Sequence, residues 1–499
     1  MKYVIGIDLG TSAVKLLLVN KHGNVIQEIS KEYPLIQERS GYSEQDPHVW
    51  VDQTVAGLTD LLQDFNGDPK DIEGISFSGQ MHGLVLLDEE NEVLRNAILW
   101  NDTRTTNQCR QIYHAVGEER LLEIAKNPAL EGFTLPKLLW VKEHELALFR
   151  KAKKFILPKD YLRYKLTGQL HMEYSDAAGT LLLDIRKKEW SKEICALVDI
   201  DSTICPPLVD SHAEIGKISF ETAVSTGLSE TTRIFAGGAD NACGAIGSGI
   251  LEDGRTLCSV GTSGVVLSYE ESDDKDFQGR VHYFNHGAPD AFYTMGVTLS
   301  AGNSLSWFKD VFAADESFED LVSEAGTVPV GANGLLFTPY LAGERTPHAD
   351  ASIRASFVGM DVSHQRQDFV RAVLEGITFS LNESIHIFRN NGKVIDSIVS
   401  IGGGAKNEVW LQIQADIFNA KIIKLSSEQG PGMGATMLAA YGCGWFDSLS
   451  ECADEFLKIE STYTPDRDRA ERYKKLFEIY QEVYGQTKAM NEKLVEFRN

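Results

Sequence analysis

Hydrophobic and polar residues alternate near the start of the chain in a way that predicts three consecutive strands. Residues 3–8, 14–19 and 25–33 are rich in Val, Ile and Leu, which favour extended backbone. The segment Gly10-Thr11-Ser12 separates the first two strands as a tight turn, and His22-Gly23-Asn24 is a hairpin signal before the third. The pattern therefore predicts three strands joined by short turns.

The hydrophobic period then changes to that of a helix. Asp46 is a favourable N-cap, and Pro47 suits the first helical position because its missing N–H has no partner there. Apolar residues recur at helical spacing as far as Leu62, and a further buried strand follows over residues 72–78. This order of elements predicts a mixed sheet with helices on its faces.

A short repeat indicates that the chain consists of two related halves. Residues 6–19 and 257–270 both read as a strand, a Gly-Thr-Ser turn and a strand. One copy carries Asp8 where the other carries Ser259. Chance similarity is the alternative, but the position of each copy at the start of one half favours duplication.

The second half also contains a strand–glycine–helix unit. A strand over residues 394–401 leads into Gly402-Gly403-Gly404 and then into a helix over residues 407–419. No linker is rich enough in Pro or Ser to mark a flexible tether. The domain boundary is therefore placed just before the repeat restarts, which predicts domains over residues 1–249 and 250–499.

The composition excludes several classes of function. With 499 residues, the chain is longer than one hydrophobic core usually serves. A formal net charge of -24 disfavours nucleic acid and anionic membranes as partners, because both would be repelled. A polyphosphate substrate would therefore need local positive character from backbone N–H groups, helix ends and a divalent metal.

Cysteine usage and motif content predict a cytoplasmic protein that is not a P-loop enzyme. The number of cysteines, 7, is odd and no pair has Cys-x-x-Cys spacing, so neither a disulfide framework nor a zinc site is expected. The first apolar run is too short for a signal peptide, and no uncharged stretch is long enough to span a bilayer. The motifs of P-loop, dinucleotide-binding, serine-hydrolase and zinc-protease folds are absent.

The turn after the first strand suits phosphate binding. Gly10 permits close approach of a phosphate, and the N–H groups and hydroxyls of Thr11 and Ser12 are hydrogen-bond donors. Asp8 can hold Mg²⁺ directly or through water. A plain hairpin turn with a buried Asp is the alternative. The second copy, Gly261-Thr262-Ser263, makes two facing phosphate clamps the better interpretation.

The chain resembles the sugar kinase, actin and heat-shock ATPase superfamily in these repeated turns and in Ile401-Gly402-Gly403-Gly404-Ala405-Lys406-Asn407. More closely, it resembles the carbohydrate kinases that include glycerol kinase, gluconokinase and xylulokinase. The resemblance implies an α/β fold of two ribonuclease-H-like, actin-type domains, with mixed sheets flanked by helices and with ATP and sugar in the cleft between them. It also implies that Gly403, Gly404 and Asn407 hold the adenosine, a plain helix start being the alternative.

Two segments of the first domain resemble those of the xylulokinases, whose substrate is D-xylulose. They combine polar side chains for hydroxyl groups with an apolar wall for the C–H face of a sugar. The polar residues are Gln80, His82, Asn101, Asp102 and Arg104, and the wall is formed by Met81 and Trp100. A histidine after a strand is more often structural, but the cluster favours a sugar site. Gluconokinases typically differ at Gln80 and Gly83, so gluconate is the nearest alternative.

The segment Gly237-Gly238-Ala239-Asp240-Asn241 carries the candidate catalytic residue. Phosphoryl transfer to a hydroxyl needs a carboxylate that accepts the proton, and the resemblance implies that Asp240 is this general base. Asn241 is able to bind a sugar hydroxyl. A glycine-rich surface turn with Asp as a helix cap is the alternative. Ala239 departs from the Gly that family members often have, and Glu131 departs from an expected Pro.

The resemblance implies phosphorylation of D-xylulose at its 5-hydroxyl by MgATP. A cleft that closes and excludes water predicts weak ATPase activity without sugar. The alternatives are a kinase of another sugar or acid, such as ribulose or gluconate, and a nucleotide-binding regulator without kinase activity. The role of Lys15, the role of the Glu344-Arg345 loop and the oligomeric state, a homodimer included, stay open.

Overall fold

Two mixed sheets, one in each half of the chain, organise the structure, a computed structural model that describes residues 1–498. The strands of the first half are β1 (Tyr3–Leu9), β2 (Ala13–Asn20), β3 (Val25–Glu32), β4 (Glu44–Gln45), β5 (Ile72–Gly79), β6 (Val85–Leu87), β7 (Ala97–Ile98), β8 (Lys154–Ile156), β9 (Met172–Glu173), β10 (Leu183–Asp184), β11 (Glu189–Trp190), β12 (Leu208–Val209), β13 (Glu214–Lys217), β14 (Arg233–Phe235) and β15 (Gly238–Ala239). Its helices are α1 (Pro47–Asp64), α2 (Thr106–Val116), α3 (Glu118–Ala125), α4 (Thr134–His144), α5 (Leu146–Phe149), α6 (Pro158–Thr167), α7 (Tyr174–Ala178), α8 (Lys192–Leu197), α9 (Phe220–Thr226) and α10 (Asp240–Ile246).

The second half has fewer strands and longer helices. The strands are β16 (Gly254–Val260), β17 (Gly264–Glu270), β18 (His282–Asn285), β19 (Phe292–Thr298), β20 (Leu336–Thr338), β21 (Ser356–Val358), β22 (Ile395–Gly402), β23 (Lys421–Leu425) and β24 (Ile459–Tyr463). The helices are α11 (Gly302–Phe312), α12 (Phe318–Glu324), α13 (Arg366–Asn390), α14 (Glu408–Phe418), α15 (Gly430–Gly442), α16 (Leu449–Phe456) and α17 (Arg467–Leu494).

The two sheets share one topology, which confirms the predicted fold class. The strand order is β13-β14-β5-β1-β2-β3 in the first sheet, with β15 beside β5, and β18-β19-β17-β16-β22-β23-β24 in the second. In each sheet, three antiparallel strands lie beside a strand that runs parallel to the first of them. The turns at residues 10–12 and 261–263 therefore occupy equivalent places, at the ends of β1 and β16.

The two hairpins nevertheless differ in length by one residue. Leu9 pairs with Val14 in the first hairpin, whereas Val260 pairs with Gly264 in the second. The repeat therefore holds in register up to the turn, and the strand after the turn is displaced by one residue. This is a correction to the ungapped repeat that the sequence suggested.

The elements predicted from periodicity in the first half are present. The strands β1, β2, β3 and β5 begin and end within one residue of the predicted ranges. Asp46 caps α1 by accepting a hydrogen bond from the backbone N–H of His48 at 3.0 Å, and Pro47 is the first helical residue. Local turn and cap chemistry was therefore sufficient to place these elements.

Two helices from the second half pack on the first sheet. The helices α15 and α16 bury Met437 and Phe456 in one core cluster with Val4 of β1. Helix α15 crosses α10 so closely that a Cβ on Gly434 would stand 1.9 Å from the Cys243 carbonyl oxygen. The chain thus returns to the first sheet between β23 and β24, before it completes the second sheet. We call the part of the structure built around the first sheet, with α15 and α16, the first unit, and the part built around the second sheet the second unit. The predicted division at residue 249 does not include this return.

No helix among residues 1–498 combines the length and the apolar composition that crossing a membrane requires. Every cysteine of the chain is a free thiol.

Candidate active site

A cavity of about 280 Å³ lies between the two units, at the N-terminus of α10. We call it the first cavity. Its lining residues are Met81, His82, Trp100, Leu130, Gly132, Phe133, Asp240, Asn241, Ser263, Val265, His282, Met295, Val297 and Arg345. Aromatic, apolar and hydrogen-bonding side chains are mixed around this small volume, which suits a small polyhydroxylated ligand.

A second cavity of about 520 Å³ lies on the second unit. Its lining residues are Val260, Gly261, Thr262, Gly302, Asn303, Leu305, Ser306, Phe318, Glu319, Val322, Gly403, Lys406, Asn407 and Trp410. The turn after β16 separates the two cavities, because Gly261 and Thr262 line the second and Ser263 lines the first. Gly403 and Asn407, which were expected to hold adenosine, line the second cavity.

The start of α14 shapes the wall of the second cavity. Asn407 caps the helix by accepting a hydrogen bond from the Val409 N–H at 2.8 Å. Gly402 has φ 79°, a conformation that glycine adopts without strain. Gly404 is buried behind the wall, where a Cβ would stand 2.7 Å from Val260 Cγ2. The consecutive glycines thus let the backbone, rather than side chains, form this wall.

Asp240 is the first residue of α10 and lines the first cavity. Its Oδ1 accepts hydrogen bonds from the backbone N–H of Asn241 at 2.7 Å and from the Asn241 Nδ2 at 3.1 Å. Burial, and then the negative charge of Asp8, raise the pKa of Asp240 to about 7. A carboxylate with this pKa is a proton acceptor well matched to neutral pH.

The loop before Asp240 is fixed by close backbone packing. Residues 238–239 pair with residues 78–79 at the end of β5. Gly237 has φ 85°, and a Cβ there would stand 2.3 Å from the carbonyl oxygen of Phe77. Only glycine fits this position, so the sequence signal that marked the loop has a steric cause.

Asp8 lies near the end of β1, and it is close enough to Asp240 for its negative charge to raise the pKa of that carboxyl. Burial raises the pKa of Asp8, while the Ser78 hydroxyl and the positive charge of Lys15 oppose the rise. No group of three metal-ligating side chains converges among the described residues. The two neighbouring carboxylates fit Mg²⁺, which binds carboxylate oxygens and keeps water or phosphate oxygens as its other ligands.

The turn after β1 is held by side chains from the same unit. The Gly10 carbonyl oxygen accepts from the Tyr33 hydroxyl at 2.6 Å and from Gln80 Nε2 at 3.3 Å. Trp100 Nε1 donates to Thr11 Oγ1 at 2.9 Å. Gln80, expected to contact sugar, therefore points at the turn and is not among the residues that line the first cavity. Trp100 does both, because its ring lines the cavity and its N–H holds the turn.

Ser12 is the last residue of this turn, and Lys15 lies just beyond it. Ser12 is exposed at the tip of the turn. Lys15 Nζ donates to Gln429 Oε1 at 2.6 Å and pairs with Glu28 at 2.9 Å. Lys15 thus ties β2 to the segment that enters α15, and neither cavity has it in its lining.

Met81 and His82 lie at the end of the β5 loop, in the wall of the first cavity. His82 has φ 67°, and its Nδ1 lies 2.7 Å from the Gly179 carbonyl oxygen. Because a carbonyl only accepts, Nδ1 carries the proton and Nε2 is left as an acceptor. Burial lowers the pKa of His82 to about 3, so the ring is neutral. The Met81 sulfur accepts weakly from Asn241 Nδ2 at 3.6 Å.

Asn101, Asp102 and Arg104 were expected at the sugar site, but they do not line either cavity. The buried Asp102 carboxylate accepts from the Ser43 N–H at 2.6 Å and pairs with Arg104 at 2.6 Å. Arg104 also pairs with Glu44 at 2.8 Å. The hydrogen bond from the Ser43 N–H holds the Asp102 carboxylate in the interior, and the ion pair keeps the Arg104 guanidinium beside it. This ion-pair network holds the loop between β7 and α2.

The Glu344-Arg345 loop, whose role the sequence left open, reaches the first cavity. Arg345 lines it from the second unit. The buried Glu344 accepts from the Leu299 N–H at 3.0 Å and from the Ser380 hydroxyl at 3.1 Å, and burial raises its pKa to about 8. The loop is therefore anchored to its own unit while Arg345 faces the other.

Most lining residues contributed by the second unit carry no motif that the sequence could reveal. They lie within regular strands and helices, where nothing in the local sequence distinguishes a residue that faces the cavity from one that faces the core. The residues missed in this way are Val265, His282, Met295, Val297, Gly302, Asn303, Leu305, Ser306, Phe318, Glu319, Val322 and Trp410.

Comparison with known proteins gives consistent results for both halves. The N-terminal domain of the FGGY family of carbohydrate kinases matches residues 3–247, and its C-terminal domain matches residues 256–443. A protein of Bacillus subtilis (strain 168) named xylulose kinase is 61% identical over 498 residues, which is 100% of each chain.

Two solved structures from Lactobacillus acidophilus are similar over almost the whole chain. A ligand-bound xylulose kinase has a TM-score of 0.94 at 31% identity and covers 99% of this chain and 100% of its own. A gluconate kinase has a TM-score of 0.93 at 31% identity and covers 99% of each chain. The overall fold is therefore equally similar to enzymes named for two different substrates.

Proposed function

The chain belongs to the FGGY family of carbohydrate kinases, and from this premise we propose that it phosphorylates D-xylulose at its 5-hydroxyl with MgATP. The products are D-xylulose 5-phosphate and ADP. The observation that carries the proposal is the position of Asp240, whose pKa is raised to about 7 and which lines a sugar-sized cavity beside a nucleotide-sized one. The relative that is 61% identical and is named xylulose kinase supports the choice of sugar.

Asp240 accepts the proton of the attacking hydroxyl as the new oxygen–phosphorus bond forms and the bond to the leaving ADP oxygen breaks. The Nε2 of the neutral His82 accepts a hydrogen bond from a second sugar hydroxyl. Asn241 orients both the sugar and the Asp240 carboxylate, since it already donates to that carboxylate. Met81 and Trp100 pack against the C–H face of the sugar.

The nucleotide is held by the second unit. Gly403 and Asn407 contact adenosine, and the turns at residues 10–12 and 261–263 donate N–H and hydroxyl groups to the phosphates. Asp8 would hold Mg²⁺, which supplies positive charge against the phosphate oxygens when it is bound. Sugar and both units together exclude water, so ATP hydrolysis without sugar is weak.

We place the enzyme in the cytoplasm, because it consumes ATP and its cysteines are free thiols. Gluconate is the second candidate substrate. Arg345 brings a cation to the first cavity that would pair with the carboxylate of gluconate, whereas it would donate hydrogen bonds to the hydroxyls of a neutral sugar.

The test is ADP release from MgATP by the purified protein with D-xylulose, L-xylulose, D-ribulose, L-ribulose, gluconate, glycerol or no sugar. A response at least tenfold larger to D-xylulose than to the others supports the proposal. A larger response to gluconate would keep the kinase and overturn the choice of sugar. ADP release that is equal with and without every sugar would contradict phosphoryl transfer to an alcohol.

A further inference from the structure

A group of five buried ionisable residues lies behind the loop that carries Asp240, and we call it the charge cluster. Its members are Lys159, Asp160, Arg163, Glu173 and Asp176, each at most 1% exposed. Lys159 Nζ lies 2.7 Å from Asp160 and 3.1 Å from Asp176, and Arg163 lies 3.0 Å from Asp160. Burying so many charges is costly and seldom improves stability over a hydrophobic core, so the cluster calls for a role beyond packing.

One serine joins the charge cluster to the catalytic loop. Ser175 Oγ accepts a hydrogen bond from the backbone N–H of Ala239 at 2.9 Å. The same hydroxyl donates to Glu173 Oε2 at 2.7 Å. The Ala239 N–H belongs to the Gly238–Ala239 peptide, so this contact fixes the backbone one residue before Asp240.

The direction of the Ser175 hydroxyl is determined by the cluster. Glu173 Oε2 accepts from the Ser175 N–H at 2.7 Å and from the Ser211 hydroxyl at 3.0 Å as well, which holds the carboxylate in place. Because the Ser175 hydrogen is directed at Glu173, its lone pairs face the loop. Arg163 holds the other end of the loop by donating to the Ala236 carbonyl oxygen at 2.6 Å.

We propose that Ser175 is a positioning residue for phosphoryl transfer, which transmits the rigidity of the charge cluster to Asp240 through the Ala239 N–H. Ser175 is fully buried and is not among the residues lining either cavity, so it acts on Asp240 and not on the sugar. The inference rests on the proposed role of Asp240 as general base. A small displacement of that carboxylate slows the reaction while leaving the sugar contacts intact.

The chain offers a matched control for this role. Ser175 and Ser211 are both buried, and both hydroxyls donate to Glu173 Oε2. Only the Ser175 hydroxyl contacts the loop, because the Ser211 contact with residue 237 is made by its backbone carbonyl. We expect Ser175→Ala to lower kcat about tenfold with KM for D-xylulose and ATP within about twofold. Ser211→Ala keeps kcat within about twofold, while the two variants lose a similar amount of thermal stability.

Two further variants separate this inference from the proposed function. In the Asp240→Asn background, Ser175→Ala causes no additional loss of the residual rate, because its effect passes through the missing carboxylate. Ser175→Cys, which keeps a weak donor and acceptor of similar size, gives an intermediate kcat and serves as the test if Ser175→Ala does not fold. If Asp240→Asn alone keeps the rate, the proposed role of Asp240 as general base fails, and the role of Ser175 fails with it. If Asp240→Asn abolishes activity but Ser175→Ala and Ser211→Ala lower kcat equally, only the role of Ser175 is overturned.

Discussion

The two Gly-Thr-Ser turns are the same local structure in different surroundings. The first, at residues 10–12, follows a strand that carries Asp8 and is hydrogen-bonded to four side chains of its own unit. The second, at residues 261–263, follows a strand with Ser259 at the equivalent place. It is hydrogen-bonded to backbone N–H groups at the start of α11.

This difference shows that the geometry of a turn does not decide its function. The first turn has a carboxylate two residues before it and contacts Trp100, which lines the first cavity, so it lies close to the proposed sugar site. The second turn lies at the N-terminus of α11, where the carbonyl oxygens of Gly261 and Thr262 accept hydrogen bonds from the backbone N–H groups of residues 301–303. The dipole of that helix favours an anion near the turn. One copy thus has a carboxylate two residues before its turn, whereas the other has a serine hydroxyl at that place.

The largest effect on the rate is expected at Asp240, which lines the first cavity together with Ser263 of the second turn. Asp240→Asn removes the proton acceptor while keeping the shape of the side chain, so we expect kcat to fall about a thousandfold. Binding of ATP, measured by calorimetry, should stay within about threefold, because the proposed nucleotide contacts lie in the second cavity. If ATP binding disappeared as well, Asp240 would have a structural role.

Exchanging the residues that stand two positions before each turn, Asp8 and Ser259, tests the comparison itself. Asp8→Ser gives the first copy the residue of the second, and we expect kcat to fall about a hundredfold through loss of the metal-holding carboxylate. Ser259→Asp makes the reverse change, and we expect KM for ATP to rise several-fold by charge repulsion with little change in kcat. Steady-state kinetics measure both. Equal losses of kcat in the two variants would contradict the division of roles.

The pH profile reports the charge that the first turn places near Asp240. Burial and the Asp8 charge raise the pKa of Asp240 to about 7, and only the ionised form accepts a proton. We therefore expect kcat/KM for D-xylulose to fall about tenfold for each pH unit below about 7. In Asp8→Asn the fall in the residual kcat/KM should begin at a lower pH, because the negative charge of Asp8, one cause of the raised pKa of Asp240, is removed. A fall that begins at the same pH in the variant as in the unaltered enzyme would contradict an effect of the Asp8 charge on the pKa of Asp240.

The smallest effect is expected from the hydrogen bond that joins the sugar wall to the first turn. Trp100→Phe keeps an aromatic face but removes the N–H that donates to Thr11, so we expect kcat/KM to fall about fivefold. Thr11→Val removes the other partner. The double variant should be no worse than the poorer single variant, which a double-mutant cycle measures. Additive losses would mean that the two residues act independently.

Much of the fold could be predicted because its signals are local. The strand–turn–strand repeat, the Asp46 cap and the glycines before Asp240 each follow from the chemistry of a few adjacent residues. The return of α15 and α16 to the first sheet could not be predicted, since it depends on packing between residues hundreds of positions apart.

The site shows the same division. Residues in motifs, such as Met81, His82 and Asp240, line the first cavity as expected. Asp102 and Arg104 carry the right chemistry in the right segment, but a backbone N–H on another loop turns the carboxylate inward. Arg345 lies in a segment whose role the sequence left open, because nothing local shows which side chain faces across the cleft.

The position of the phosphate in the product tests the role of Asp240 most directly. The purified enzyme is incubated with D-xylulose and MgATP, and the product is examined by phosphorus and carbon NMR. We expect one sugar phosphate, D-xylulose 5-phosphate, in equal amount to ADP, and none from Asp240→Asn on the same time scale. Phosphate on another hydroxyl, or ADP formed with inorganic phosphate instead of a sugar phosphate, would contradict transfer to the 5-hydroxyl directed by Asp240.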